Sequence, residues 1–230
     1  MMLHRFSITS VLYFLVSLKL TLPYSETSLQ MTSANIEMAV YCFDVIYAQL
    51  NRQKDPTVPR EIPDVKLPLF VTWKKGVHHD LRGCIGTFSD LRLGEGLNEY
   101  AKTSAFHDSR FKPITKEEVP SLQCGVSLLI NFENIHNYRD WTIGRHGVRM
   151  NFNDGRRTRS AVFLPEVASE QGWNHVETID HLIRKSGYND YITEELRQSL
   201  RIVRFQSSKI VLDYKDYVQY KQHHGQPIPH

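Results

Sequence analysis

A short segment, Arg82-Gly83-Cys84-Ile85-Gly86, brings a thiol, a fixed cation and two glycines together. If the segment is a β-strand, its side chains alternate, so Arg82, Cys84 and Gly86 share one face while Gly83 and Ile85 lie on the other. Arg82 and Cys84 would then be about 6.5–7 Å apart along the strand. A cation near a thiol favours the thiolate, which is the nucleophilic form. The segment therefore predicts a reactive cysteine.

A structural interpretation of this segment stays open. Free cysteine packs as a small hydrophobic residue in protein cores, and the glycines would then relieve crowding around Cys84. Glycine also leaves backbone exposed, so that a ligand or another strand could approach closely. Catalysis requires an accessible and acidic thiol, whereas packing requires neither.

The composition is that of a globular protein. Of the 230 residues, 41% are hydrophobic and 23% are charged, which suits one domain or two small lobes with a sizeable core. The formal net charge is only +3. Such a mild excess does not predict a nucleic-acid partner, because phosphate binding requires clustered charge. One basic cluster, Arg156-Arg157-Thr158-Arg159, is interpreted as a solvated hairpin tip.

The three cysteines, Cys42, Cys84 and Cys124, have neither paired nor metal-type spacing. Such usage favours a reducing compartment, in which thiols stay free. The sequence contains no CxxC, HExxH or Cys/His zinc pattern. We therefore expect no metal site and no cofactor. Cys42 precedes Phe43 on an amphipathic segment and is expected in the core.

The two ends of the chain differ in pattern from the middle. Met1–Arg5 provides a basic start and Phe6–Leu22 an apolar stretch, as in a signal peptide. Polar residues interrupt that stretch, and it falls short of the roughly 20 mostly apolar residues of a membrane span. We expect a dispensable leader over residues 1–30, with secretion as the alternative, a domain over 31–215 without a membrane span, and a flexible tail over 216–230.

Periodicity and turn residues predict the elements of the domain. A helix from Thr32 or Ser33 to about Asn51 opens it. Asn153-Asp154-Gly155 predicts a hairpin turn, and Gly187 stands where a helix end favours a left-handed residue. Strands are expected at 69–74, 81–88, 122–132, 147–152, 160–164, 202–205 and 209–213, helices at 97–107, 165–171, 175–185 and 193–200, and a capping box at 115–118. The order lacks a βαβ rhythm and predicts an α+β fold with mainly antiparallel sheets flanked by helices.

Several motifs resemble those of one known family. Leu81-Arg82-Gly83-Cys84-Ile85-Gly86 is similar to the signature of the AMMECR family, named after a human chromosomal region linked to Alport syndrome, midface hypoplasia and elliptocytosis. The similarity extends from about Ile36 to Asp213. Other matching motifs include Tyr100-Ala101, Thr103-Ser104-Ala105, Asp108-Ser109-Arg110-Phe111, Leu122-Gln123-Cys124, His146-Gly147-Val148, Leu164-Pro165-Glu166-Val167-Ala168 and Glu170-Gln171-Gly172-Trp173. At Ala161-Val162-Phe163 the family more often has a Thr-Tyr pair, so no tyrosine hydroxyl is present there.

The resemblance implies a two-lobed domain with the signature segments near a cleft between the lobes. Relatives are fused to, or encoded beside, oxidoreductase-like and radical-chemistry proteins, which suggests a modifying enzyme for nucleic-acid or small-molecule substrates. Animal members are associated with the nucleus and cytoplasm, and we expect the same location here.

Carried over residue by residue, the resemblance implies a set of cleft residues around Cys84. Cys84 would be the nucleophile, Arg82 would stabilise anionic charge, and His146 or Asp108 would move protons. The substrate-binding set is Gly83, Gly86, Ser104, Arg110, Gly147, Glu166 and Gln171. Structural roles stay open for several of these residues, because Asp108 can pair with Arg110 and Glu166 suits the first turn of a helix.

Two functions are therefore weighed. The first is a cysteine-dependent modifying enzyme, which is favoured because an arginine, a cysteine and two glycines on one short strand exceed what packing requires. The second is a non-catalytic adaptor whose cleft binds a peptide or a nucleic-acid segment. The rate of Cys84 alkylation against pH, compared with Cys42 and Cys124, discriminates between them.

Overall fold

The computed structural model describes residues 33–228, so the predicted leader lies outside the described part of the chain. The strands are β1 Lys66–Lys75, β2 Asp80–Arg92, β3 Leu122–Ile135, β4 Gly147–Asn153, β5 Thr158–Phe163 and β6 Arg201–Asp213. The helices are α1 Ile36–Leu50, α2 Leu93–Phe106, α3 Pro165–Gln171, α4 His175–Lys185, α5 Glu194–Ser199 and α6 Tyr214–His223, with a 3₁₀ helix at Lys116–Ser121.

The six strands form one antiparallel sheet in the order β2-β1-β3-β6-β4-β5. This architecture, an antiparallel sheet flanked by helices, confirms the predicted α+β fold. The hairpin turn between β4 and β5 is also confirmed, because Gly155 has φ of +84° and the Asp154 carboxylate accepts the N–H groups of Arg156 and Arg157 at 2.8 Å. Gly187, just after α4, has φ of +82° and is left-handed as predicted.

Strand β6 corrects the prediction of two closing strands at 202–205 and 209–213. The run Gln206-Ser207-Ser208 lacks the apolar alternation of a half-buried strand, which is why its sequence suggests a break. In the structure these residues pair with Ile130, Leu129 and Leu128 on β3. Ladder hydrogen bonds come from the backbone, so a polar run can continue a strand when a neighbour is present.

Helix α1 lies mostly within the first hydrophobic core. Ten of its residues are buried, among them Cys42 with no exposed surface, which confirms the predicted core position of this cysteine.

The N-cap of helix α1 is Asn35 and not Thr32 or Ser33: the Asn35 side chain accepts the N–H of Met38 at 3.2 Å. An N-cap amide satisfies a backbone donor that the helix leaves unpaired.

The helices bury two hydrophobic cores, one toward each end of the sheet. The first joins α1, α2 and α6 to residues such as Trp73 and Leu212, and the second joins α3, α4 and α5 to residues such as Met150 and Ile202. Leu212 and Ile202 lie an even number of residues apart on β6, so both cores pack on the same face of the sheet. One continuous sheet links the two cores.

Helix α6 corrects the predicted flexible tail of residues 216–230 over residues 216–223, which the helix covers. Tyr217 is fully buried and stacks on Phe43 with ring centroids 4.8 Å apart. Its hydroxyl donates to Asp44 at 2.6 Å, and the ammonium of Lys221 pairs with the same carboxylate at 3.0 Å. Two polar side chains of this segment thus bind Asp44 on α1, a partner that the local sequence pattern does not indicate.

The other face of the sheet, called the open face below, carries no helix of the described residues. Successive rows of side chains on it are Gly147–Phe205, Leu129–Ser207, Gly86–Phe70–Ser127–Lys209 and Cys84–Thr72–Gly125–Val211. The rings of Phe88 on β2 and Phe205 on β6 lie only 6.1 Å apart, although β1 and β3 separate their strands. With strands spaced about 4.8 Å, this contact indicates that the sheet curls toward its open face.

Candidate functional site

Cys84 lies on the open face, opposite Thr72 of β1. Its thiol is half-buried, and Sγ accepts a hydrogen bond from the Thr72 hydroxyl at 3.2 Å. The predicted alternation is also seen, since Gly86 pairs with Phe70 on this face while Gly83 pairs with Trp73 on the helix side. Cys84 is therefore a surface residue of the sheet and not part of either hydrophobic core.

The loop after α2 contacts the backbone of Cys84 and not its thiol. Asp108 Oδ2 accepts the Cys84 N–H at 2.9 Å, and Arg110 Nη2 donates to the Cys84 carbonyl at 3.2 Å. Because β2 is an edge strand, these two side chains occupy the acceptor and donor positions that a neighbouring strand would fill. Asp108 and Arg110 also bind each other in a bidentate ion pair, at 2.7 and 2.9 Å.

The electrostatics of Asp108 bear on its predicted role in moving protons. The Arg110 guanidinium, together with backbone N–H donors from Cys84 and Arg110, holds the pKa of this carboxyl well below its usual range. A carboxylate this acidic is a weak base near neutral pH. The geometry thus favours a structural role for Asp108, at the edge of the sheet.

Arg82 does not direct its charge at Cys84. The β1–β2 register shifts between Trp73 and Lys74, which leaves Arg82 at an irregularity of the ladder. Its guanidinium binds both oxygens of Glu118, at 3.0 and 3.1 Å. Arg82 therefore offers little charge to a thiolate, and the guanidinium bonded to the Cys84 backbone is that of Arg110.

Glu118 connects three elements at this end of the sheet. Besides Arg82 it binds Lys75 at 2.8 Å and accepts the N–H of Thr115 at 2.9 Å, completing the capping box predicted for residues 115–118. Hydrogen bonds from Arg82, then from Lys75 and the Thr115 backbone, lower the pKa of Glu118 to about 2.

His146 belongs to a different part of the molecule. It is buried, its Nδ1 accepts the N–H of Thr142 at 2.9 Å, and its Nε2 faces the Gln206 amide at 3.5 Å. Burial, followed by the positive charges of Arg204 and Arg145, lowers its pKa. Nδ1 is thus engaged by a backbone donor, which leaves it unavailable as a base. Within residues 33–228 no hydrogen bond joins it to Cys84.

All three predicted binding glycines have a packing reason to be glycine. A Cβ atom would fall inside van der Waals contact with the Ser104 carbonyl at Gly83, with the Phe70 ring at Gly86, and with the Phe205 ring at Gly147. Gly83 lets α2 approach β2, and the other two make room for aromatic rings on the open face. The crowding interpretation thus accounts for these positions.

The remaining predicted residues do not converge on Cys84. The Ser104 hydroxyl is buried and donates to the Tyr100 carbonyl at 2.6 Å within α2. Glu166 and Gln171 are exposed on α3, beside the second core. The structure thus gathers Cys84, Asp108, Arg110 and Arg82 at one end of the sheet.

Sequence reasoning missed an aromatic cluster on the open face. Phe70, Phe88, Phe205 and Phe132 follow one another with ring centroids 5.2, 6.1 and 5.2 Å apart. The guanidinium of Arg149 lies over the Phe132 ring, 5.9 Å from its centroid. Phe70 and Phe88 do show period-two spacing from Thr72 and Gly86, but their contact with Phe205 depends on the curl of the sheet.

Between residues 33 and 228 no three His, Cys, Asp or Glu side chains are grouped so as to hold a metal ion. In the same residues no helix is both long and apolar enough to cross a membrane.

Comparison with known proteins identifies the class of this antiparallel α+β domain. Residues 39–210 match the family model AMMECR1, so the chain belongs to the AMMECR1 family. An uncharacterized protein of Arabidopsis thaliana is 46% identical over 83% of this chain and 90% of its own length. One of Schizosaccharomyces pombe is 39% identical over 79% and 94%.

The fold is shared with a solved structure. The crystal structure of an uncharacterized protein from Pyrococcus horikoshii is similar, with a TM-score of 0.64 and 25% identity. The match covers 80% of this chain and 93% of that one. These relatives support the family and the fold.

Proposed function

We propose that this chain is a binding domain for single-stranded nucleic acid, and that the ligand lies on the open face of the sheet. The observation that carries the proposal is the pairing of Phe132 with Arg149. Phe132 stacks on the buried Phe205, is 38% exposed, and has the Arg149 guanidinium over its ring. An exposed ring beside a cation offers stacking to a base and charge to a phosphate.

The charge of the open face supports the same ligand. Lys74, Arg149, Arg201 and Lys209 lie on this face by the strand register. The acidic residue in these rows, Asp213, accepts a hydrogen bond from Gln123 at 3.1 Å. Arg149 and Arg201 lie on adjacent strands two positions apart in the register, so positive charge gathers at the end of the face that holds Phe132, as a phosphate backbone requires.

The sheet also provides a suitable shape. A sheet face that carries no helix of the described residues and presents aromatic side chains lets unpaired bases lie flat on it, whereas bases stacked inside a duplex do not present their faces. A location in the nucleus or cytoplasm, where such strands occur, is part of the proposal.

Cysteine catalysis is the second candidate, and Cys84 favours it in one respect: its half-buried thiol lies on the open face, where a bound ligand could reach it. The groups expected to assist it have other partners, Arg82 with Glu118 and Asp108 with Arg110. Covalent catalysis needs a base or a cation at the thiol. The binding proposal requires neither, and it predicts that Cys84→Ser retains affinity for nucleic acid.

The test is fluorescence anisotropy with a fluorescein-labelled oligothymidylate of about 16 nucleotides. Phe132→Ala should weaken binding by about 5- to 100-fold, which corresponds to the loss of one stacked base. Arg149→Ala should weaken binding and reduce the salt dependence by about one phosphate contact. Controls are Tyr191→Ala and Arg60→Ala, an exposed aromatic residue and an exposed arginine away from this face.

Two outcomes would refute the proposal. One is the absence of any salt-sensitive binding by the full chain. The other is binding that survives Phe132→Ala and Arg149→Ala but is lost in the double variant Arg156→Ala, Arg157→Ala, which would place the ligand on the β4–β5 hairpin tip.

A further inference from the structure

We propose that the turn Thr142–His146 is a proton-sensitive switch, in which protonation of the buried His146 ring releases the turn at the start of β4. The switch is a property of the fold and does not rest on nucleic-acid binding. Histidine is the side chain that ordinarily changes its charge between about pH 5 and 8, so a buried ring that holds a turn can respond to acid.

His146 closes the turn through both its backbone and its ring. The His146 N–H donates to the Thr142 carbonyl at 2.9 Å, and Nδ1 of the ring accepts the Thr142 N–H at 2.9 Å. A ring nitrogen that accepts a hydrogen bond carries no hydrogen, whereas both nitrogens of an imidazolium are donors. Protonation therefore sets two N–H groups against each other and abolishes the bond between the ring and Thr142.

The charged groups nearest His146 oppose its protonation on balance. Burial, then Arg204 on β6 and Arg145 in the turn itself, lowers the pKa of the ring. The carboxylates of Glu133 on β3 and Asp140 before the turn act in the other direction, but both bind Arg204, at 2.7 and 3.0 Å. The environment thus favours the neutral ring that the bond to Thr142 requires.

The remaining elements around the turn contribute little charge. A Cβ atom at Gly144 would be 3.7 Å from the Ser169 side chain, so α3 lies beside the turn. The acidic residues of α3, Glu166 and Glu170, are exposed to solvent, which screens them. Gln206 on β6, which faces Nε2 at 3.5 Å, is neutral.

The pH dependence of the switch follows from the lowered pKa. Below about 6.5, the ordinary value, a released ring binds more protons than the ring in the closed turn. The closed turn is therefore fully stable above about pH 6.5 and loses stability as the pH falls from there toward the lowered pKa of His146.

The turn is continuous with two residues of the open face. Gly147, next to His146, packs so closely on the Phe205 ring that a Cβ atom would overlap it. Arg149, two residues further on, lies over the Phe132 ring. Release of the turn removes the anchor that precedes these contacts. One consequence, weaker binding of nucleic acid at acid pH, rests on the proposed function.

The experiment measures amide hydrogen exchange of Thr142 by NMR in the full chain, at about pH 7.5 and about pH 5. The readout is the protection factor, which is the exchange rate of an unstructured chain divided by the measured rate at the same pH. It should fall several-fold at the lower pH. The upper limit is about thirtyfold, because pH 5 lies about 1.5 units below the pKa of a released ring.

Two histidine variants isolate the ring responsible. His146→Asn removes the titration and retains an acceptor, since the asparagine Oδ1 takes the place of Nδ1, so the protection of Thr142 should no longer depend on pH. The matched control is His175→Gln. Nε2 of His175 lies 2.8 Å from the Trp141 carbonyl, and a carbonyl only accepts, so this ring donates in either charge state. His175→Gln should leave the response of Thr142 unchanged.

Three outcomes contradict the switch: equal protection of Thr142 at the two pH values in the native chain, a pH dependence that persists in His146→Asn, or its loss in His175→Gln. The first of these needs no variant, so it decides the matter even if a variant does not fold.

Fluorescence anisotropy with the same oligothymidylate at both pH values separates the switch from the proposed function. If the native chain binds at neither pH, the proposed function fails, while the exchange data still decide the switch. If the native chain binds, its affinity should fall more at acid pH than that of His146→Asn. Equal losses would show that the turn does not affect the open face.

Discussion

The carboxylate of Asp108 accepts the backbone N–H of Cys84 at 2.9 Å, so the loop after α2 closes the sheet edge as a neighbouring strand would. A side chain also covers the opposite edge of the sheet, where Lys185 Nζ donates to the Val162 carbonyl of β5 at 3.0 Å. A loop or side chain that covers the backbone of an edge strand opposes unwanted strand pairing between molecules. The Asp108–Arg110 pair therefore has a structural reason that does not depend on catalysis.

Asp108→Asn should lower the free energy of unfolding by about 1–3 kcal/mol, because a nearly buried carboxylate loses its charge-assisted bonds to Arg110 and Cys84. Urea denaturation measures the change. The matched control is Asp64→Asn, which breaks the exposed pair of Asp64 with Arg92 and should cost less than about 1 kcal/mol. Equal effects in the two variants would contradict the edge role of Asp108.

Glu118 should make stability depend on acid pH. Its pKa is lowered from 4.5 to about 2 in the folded chain. The contribution of Glu118 to the free energy of unfolding is therefore fully present above the pKa that the group has in the unfolded chain. That contribution is lost as the pH falls from about 4.5 toward about 2, and it amounts to at most about 3 kcal/mol. Glu118→Gln should flatten this part of the stability profile, measured by denaturant unfolding at each pH. An unchanged acid slope would show that the pairs with Arg82 and Lys75 contribute little.

Gly83→Ala and Gly125→Ala form a matched pair of strand substitutions. A Cβ at Gly83 would overlap the Ser104 carbonyl of α2, a backbone atom that cannot move aside, whereas at Gly125 the nearest atom is 3.7 Å away. Gly83→Ala should therefore destabilise by about 3 kcal/mol or more, and Gly125→Ala should stay within about 1 kcal/mol. Thermal unfolding of both proteins gives the comparison, and similar melting temperatures would contradict the close approach of α2 to β2.

Alkylation should distinguish the three cysteines. Cys84 is half-buried on the open face, while Cys42 and Cys124 have no exposed surface. In the native chain iodoacetamide should modify Cys84 at least about tenfold faster than the other two, whose reaction requires opening of the core. Peptide mass spectrometry after timed quenching gives the three rates. Comparable labelling of Cys42 would place α1 outside the core. The same rates measured against pH test the nucleophile hypothesis for Cys84.

Capping and turn residues in the sequence were sufficient to predict where several elements begin and end. Helices α3 and α4 begin and end at the predicted residues 165–171 and 175–185, because caps, Pro165 and Gly187 act over a single turn. The Asp154-Gly155 turn and the alternation of Gly83, Cys84 and Gly86 are likewise short-range. Long motifs in a fixed order were also sufficient to indicate the family.

Contacts between distant segments depended on the tertiary structure. Arg82 and Cys84 are neighbours in sequence, yet the guanidinium of Arg82 binds Glu118, because a ladder irregularity and the capping box bring that carboxylate to it. His146 follows the same family pattern as Cys84 but is fixed by Thr142 beside the second core. The Phe88–Phe205 contact requires the curl of the whole sheet. Side-chain charge and periodicity are local properties, whereas the partner of a charge or a ring is set by how strands and helices pack.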